Sequence, residues 1–136
     1  MQFITDNLML VTVAVVSGLM LVYSFIGNKV RGVKEVDSNG ALQMINHKNA
    51  LVLDVREQDE FKGGHILNAK LIPLGDLKSQ AGQIERHREG PIVVVCRSGK
   101  RSGVGSAILA KAGFKEVYSL AGGMMAWQRA NLPVEK

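Results

Sequence analysis

The chain has 136 residues, room for one domain with a core of ordinary size, and it carries a formal net charge of +5 with a pI near 9.6. That excess sits in two places: without Lys29, Arg31 and Lys34, and without Arg97, Lys100 and Arg101, the acids and bases from residue 29 onward balance. With aromatics at 5% and no basic stripe, the composition argues against a nucleic-acid partner.

The first 28 residues differ in character from the rest. From Leu8 to Ile26 no side chain is charged, and Leu, Val, Met, Ala and Phe dominate, with only Thr12, Ser17 and Ser24 to suggest a polar stripe. As a helix at about 1.5 Å per residue this run reaches roughly 28 Å, close to the hydrocarbon thickness of a bilayer. The expectation is a single transmembrane helix over residues 8–26. Its N-terminal flank holds Asp6 and no basic residue, and Tyr23, Phe25 and Ile26 crowd the place where a small-residue cleavage site would fall, which favours an uncleaved anchor over a signal peptide. Lys29, Arg31 and Lys34 follow at once, so the positive-inside rule puts the N-terminus outside and the remaining domain in the cytoplasm of an inner or plasma membrane. One cysteine, unable to form an internal disulfide, fits a reducing compartment. The expected division is an anchor over 1–28, a basic juxtamembrane linker over 29–34 and one folded domain over 35–136.

In chain order, an edge strand is expected near Lys34–Val36, then a helix capped by Ser38 and running to about Asn46, with Ala41, Leu42 and Ile45 at helical spacing. Ala50–Val55 reads as a compact apolar strand with Asp54 and Arg56 at its carboxyl end, read as a structural pair. One or two helical turns over Glu57–Phe61 stop at Gly63 and Gly64, and Leu71-Ile72 is a short strand broken by Pro73. From Leu74 to Arg88 the chain is helical or irregular. Pro91–Val95 is the most strand-like run, with proline at its tolerated first position. A helix over Ser102–Ala112, with Val104, Ile108 and Leu109 on one side and Gly113 at its end, is followed by a strand over Val117–Leu120 and a helix over Gly122–Asn131. Trp127 is expected to pack that last helix on the sheet, with Met124 and Met125 as packing or pocket rim. Strands alternating with helices imply an α/β fold: a five-stranded, mainly parallel sheet with helices on both faces, and ligands outside the carboxyl ends of the strands.

At such an end stands Cys96, the sole cysteine, in the run Cys96-Arg97-Ser98-Gly99-Lys100-Arg101-Ser102. A thiol between a buried strand and a helix start faces converging backbone N–H groups, and three cationic side chains share the loop. Both favour the thiolate, which is the nucleophile. Gly99 lets the backbone turn tightly enough to form a nest for a sulfur anion, while Arg97, Lys100 and Arg101 can draw an oxyanion donor from solution. The arrangement suits covalent catalysis in which the cysteine takes up a group and passes it on. The three histidines and one cysteine have no metal-ligand spacing, and neither a metal nor a cofactor is expected.

Three segments, LVLDVREQDEFKGGHILNA at 51–69, IVVVCRSGKRS at 92–102 and YSLAGGMMAW at 118–127, together resemble a single-domain rhodanese, a thiosulfate-type sulfurtransferase. The resemblance covers about residues 35–133 and implies the rhodanese-like fold for that part. It implies Cys96 as the residue that becomes a persulfide, and Arg97, Ser98, Gly99, Lys100 and Arg101 as the substrate-binding loop around it. It places His65 in a structural turn. The partners it implies are a small sulfur anion such as thiosulfate, or a protein persulfide, as donor and a thiol as acceptor; the bilayer would be met through residues 8–26. Phosphatases of related fold enclose phosphate with five residues between Cys and Arg. Here four separate Cys96 from Arg101, a smaller cradle that fits sulfur better. The alternative from another class is a non-catalytic binding or redox-sensing module at the membrane.

Overall fold

The computed structural model describes the backbone of residues 2–30 and 33–136, with side chains for residues 2–23 and 33–136. The chain divides into two compact units, Met1–Arg31 and Gly32–Lys136. The first holds helices α1 (Gln2–Asp6) and α2 (Leu8–Val30). Among the described residues no helix is long and apolar enough to cross a membrane. The expected span over 8–26 is therefore not shown by the structure, whose described side chains in α2 end at residue 23. Residues 24–26 of that span, and Lys29 and Arg31 of its basic flank, lie outside the described side chains. The described face is nonetheless apolar and exposed at Leu8, Met9, Leu10, Leu19, Met20 and Leu21.

In the second unit, strand β1 (Lys34–Val36) leads into helix α3 (Ser38–Lys48). Asp37, not Ser38, caps this helix: its extended backbone lets the carboxylate accept the Gly40 N–H at 2.7 Å, which leaves Ser38 as the first helical residue. Strand β2 (Leu51–Asp54), helix α4 (Gln58–Lys62) and the two-residue strands β3 (His65–Ile66) and β4 (Lys70–Leu71) follow. A short helix, α5 (Leu77–Gln80), sits between 3-10 turns at Leu74–Asp76 and Ala81–His87. Then come β5 (Pro91–Val95), α6 (Lys100–Lys111), β6 (Glu116–Leu120), α7 (Gly123–Arg129) and β7 (Val134–Glu135).

The main sheet has five strands in the order β1-β6-β5-β2-β4, every pair parallel. Period-two alternation divides the central strands between two cores. Leu53, Val55, Ile92, Val94 and Cys96 pack with Leu77, Ile84, Leu109 and Phe114 on the side of α5 and α6. Val52, Val93 and Val95 pack with Ala41, Leu120, Met124 and Trp127 on the side of α3 and α7. Helices therefore cover both faces, as read from the sequence.

Helix α6 begins at Lys100, ahead of the Ser102 start expected, and its buried face keeps Leu109, with Ile108 packed at its edge, but is otherwise made of small residues. Ser102, Gly103, Gly105, Ser106 and Leu109 are buried, while Val104 and Ile108 are only half-buried. Small residues win that face because the helix lies close to the sheet. A Cβ on Gly105 would stand 3.3 Å from Val94 Cγ1 and 3.4 Å from Leu77 Cδ2.

A feature absent from the sequence reading is the antiparallel ribbon of β3 and β7. Trp127 helps to place it, since its indole N–H donates to the Pro133 carbonyl at 3.0 Å.

Candidate active site

The alternation along β5 decides where the thiol points. Ile92 and Val94 face α6, so Cys96, the next residue in phase, faces it too, one residue beyond the strand and 1% exposed. The chain then turns through Gly99, whose φ of +106° is in the region glycine adopts without strain, and enters α6 directly. This brings the Gly99 N–H to 3.0 Å from the Cys96 Sγ. The thiol can donate to the Ser102 Oγ at 3.5 Å, and Ser102 itself bonds the Gly99 carbonyl (3.1 Å) and the Ser119 hydroxyl of β6 (2.7 Å).

Two influences on Cys96 oppose each other. Burial pushes the thiol up, but the Ser102 hydroxyl and the backbone N–H groups of Ser102, Gly99 and Ser98 favour the anion. The hydrogen bonds prevail, and the thiol lies below its ordinary value of 9.0. Such an environment favours the thiolate, the form in which a cysteine can act as a nucleophile.

The loop is anchored from behind by α7. Met124 N–H donates to the Cys96 carbonyl at 2.8 Å and Met125 N–H to the Arg97 carbonyl at 3.1 Å. Gly122 and Gly123 make this approach possible: both have positive φ, and a Cβ on Gly123 would run into the Cys96 carbonyl and stand 2.6 Å from the Arg97 carbonyl carbon. Their doubled glycine was visible in the sequence, but its partner was not.

Of the five loop residues expected to bind substrate, Arg97, Ser98 and Lys100 are exposed beside Cys96, and Gly99 bonds its sulfur. Among the described residues neither Arg97 nor Lys100 makes an ion pair. Arg101 is placed differently. Its guanidinium holds the Glu60 carboxylate of α4 with two bonds, 2.7 and 2.9 Å, a partner the sequence reading did not identify.

Asp54 and Arg56 form a buried ion pair at 2.8 Å, with a further Arg56 bond to the Gly64 carbonyl, and so act as the structural pair anticipated. His65 is stacked on Phe61 at 3.7 Å, with Nδ1 on the Phe61 carbonyl and Nε2 3.4 Å from Glu135. One ring nitrogen thus ties β3 back to α4 and the other lies against Glu135 of β7. Among the described residues no group of His, Cys, Asp or Glu is arranged to hold a metal ion.

The profile of the rhodanese-like domain matches residues 38–130. The chain belongs to the rhodanese-like domain family. The uncharacterized protein YibN of Escherichia coli (strain K12) is 35% identical over 103 residues, which is 75% of this chain and 72% of YibN. The thiosulfate sulfurtransferase GlpE of Vibrio cholerae is 36% identical over 100 residues, 74% of this chain and 92% of GlpE. The crystal structure of a rhodanese-related protein from Thermoplasma volcanium superposes with a TM-score of 0.68 at 27% identity, covering 75% of this chain and 97% of that one.

Proposed function

We propose that this rhodanese-like chain is a sulfurtransferase that carries a sulfane sulfur as a persulfide on Cys96. The observation that carries the reading is the position of Sγ at the mouth of α6, 3.0 Å from the Gly99 N–H, where the Ser102 hydroxyl and the backbone donors outweigh burial and shift the thiol toward its anion. Similarity to GlpE, a thiosulfate sulfurtransferase, supports the same chemistry.

With thiosulfate as donor, the Cys96 thiolate attacks the outer sulfur. The new S–S bond forms as the old one breaks, and sulfite leaves with the electron pair. Two charges on thiosulfate and one on the thiolate become one on the persulfide and two on sulfite, so no external oxidant is needed. Arg97 and Lys100, exposed at the mouth, lower the cost of bringing two anions together, and the nest of N–H groups around Gly99 holds the outer sulfur. An acceptor thiolate then attacks that outer sulfur and restores Cys96. A protein persulfide would load the same atom by the same exchange. Because Cys96 is the chain's single cysteine, the sulfur has to leave to an acceptor outside it.

The same proposal places the domain at a membrane through residues 8–26, with the N-terminus outside and the catalytic domain cytoplasmic. Support comes from the uncharged run Leu8–Ile26, the exposed apolar side chains of α2 and the basic residues that follow it.

Intact-mass measurement after exposure to thiosulfate tests the chemistry. The expected result is one added sulfur atom on the wild-type chain, with release of sulfite, and none on Cys96→Ser. A chain that takes up no sulfur from thiosulfate or from a persulfide donor would overturn the reading and leave a binding or redox-sensing module. For the anchor, partition into vesicles should be lost when residues 1–28 are deleted; equal recovery of both forms in the aqueous fraction would refute it.

A further inference from the structure

Glu60 stands apart from the loop in sequence but not in space. It lies in α4, where its Oε1 also accepts the N–H of Glu57 at 3.2 Å, so its carboxylate is held by its own helix end before Arg101 meets it. Arg101 then closes a two-bond fork on both of its oxygens. The side-chain bond from Arg101 holds the Glu60 carboxyl down to about 2, so the pair stays ionised throughout the neutral range. Of the three loop cations, then, one is neutralised by an acid already fixed in place, and two are left facing solution.

On this basis, and resting on the sulfurtransferase reading, we propose that Glu60 is a positioning residue that sets the enzyme's preference for donor charge by withholding Arg101 from the incoming anion. A freed guanidinium beside Cys96 would add a full positive charge at the mouth. Its attraction doubles for a dianion such as thiosulfate relative to a monoanion. Glu60 thus weakens capture of small dianions more than capture of singly charged donors, and biases the site toward the latter. Neither Glu60 nor Arg101 hydrogen-bonds Sγ among the described residues, and Arg101 reaches Cys96 only through its charge, so the effect falls chiefly on donor capture.

The test compares steady-state sulfur transfer from thiosulfate and from an arenethiosulfonate, a monoanion that releases a sulfinate in place of sulfite. For Glu60→Gln the KM for thiosulfate should fall about fivefold at low salt, with kcat within about twofold, while the KM for the monoanion falls about twofold. The difference between donors should shrink as ionic strength rises, and Glu60→Asp should restore the wild-type pattern. A thiosulfate KM that is unchanged or raised in Glu60→Gln would overturn the proposal. The double variant Glu60→Gln/Arg101→Gln guards against a folding artefact. If Arg101 is withheld, its KM for thiosulfate stays within about twofold of wild type, since the pair leaves without net charge. A KM raised as far as in Arg101→Gln alone means that Arg101 contacts the donor, which refutes the proposal. A wild-type chain inert toward both donors would bring down the sulfurtransferase reading and this inference together; an active wild type with an unaltered Glu60→Gln brings down this inference alone.

Discussion

A methyl group on Gly123 would occupy space already taken by the backbone of the cysteine loop. At φ of +54° an alanine is strained by about 1 kcal/mol before any contact is counted. Its Cβ would stand 2.6 Å from both the carbonyl carbon and the carbonyl oxygen of Arg97, and it would also overlap the Cys96 carbonyl. These are backbone atoms, which cannot swing aside as a side-chain end can, so relief requires α7 or the loop to move. Overpacking of that kind costs about 1–3 kcal/mol. The sum for Gly123→Ala is a loss of about 2–4 kcal/mol, or about 1–2 M in urea midpoint for a domain with a slope of about 2 kcal/mol per M. Activity should suffer beyond stability, because the same movement breaks the Met124 and Met125 N–H bonds that hold the loop carbonyls. Urea titration, together with the rate of persulfide formation measured well below the midpoint, decides the matter. A midpoint within about 0.3 M of wild type together with full persulfide formation would refute the claim that this glycine seats the loop.

Ser102→Ala removes a side chain that favours the Cys96 anion, so the thiol should titrate higher and the pH profile of iodoacetamide alkylation should move to higher pH; a profile that stays in place would show that the backbone donors suffice. Arg56→Met leaves Asp54 buried at 1% exposure without its charge partner and should cost about 3–5 kcal/mol, most of it recovered in Asp54→Leu/Arg56→Met. A single variant losing less than about 1 kcal/mol in urea would mean water reaches this pair. Because Arg101 depresses the folded Glu60 carboxyl from 4.5 to about 2, the pair's stabilisation is complete above pH 4.5 and disappears as pH falls toward 2. The stability gap between wild type and Glu60→Gln should therefore narrow through that window, and a gap constant from pH 6 to 2 would exclude the linkage.

The parts of this fold that were legible in advance share one property: their signal is local. Pro91–Val95 and Leu51–Asp54 are unbroken apolar runs, and the Cys96–Ser102 loop shows its turn residue and its charges side by side. What escaped were partnerships across the chain. Arg101 read as a free loop cation because Glu60 is 41 positions away. The β3–β7 ribbon escaped because strands of two residues have no period to detect. Ser119 looked like one more strand residue, and only the register of β5 against β6 brings it to the Ser102 hydroxyl. Most of the buried face of α6 escaped for a different reason. A hydrophobic-periodicity argument looks for large apolar side chains, and apart from Leu109 the buried face of this helix is Ser102, Gly103, Gly105 and Ser106.

That close seat of α6 has a further consequence. The gap between helix and sheet and the field felt by the sulfur are linked, since the donors that favour the Cys96 anion include Ser102 in the first turn and Gly99 at the N-cap of the helix that Gly105 allows down onto Val94. Filling that layer with larger side chains, an ordinary route to a sturdier domain, would raise the helix and draw its amide end away from the thiol. Thermal hardening and sulfur reactivity are opposed at this interface, and selection for one at positions 102–106 would be read out as a decline in the other.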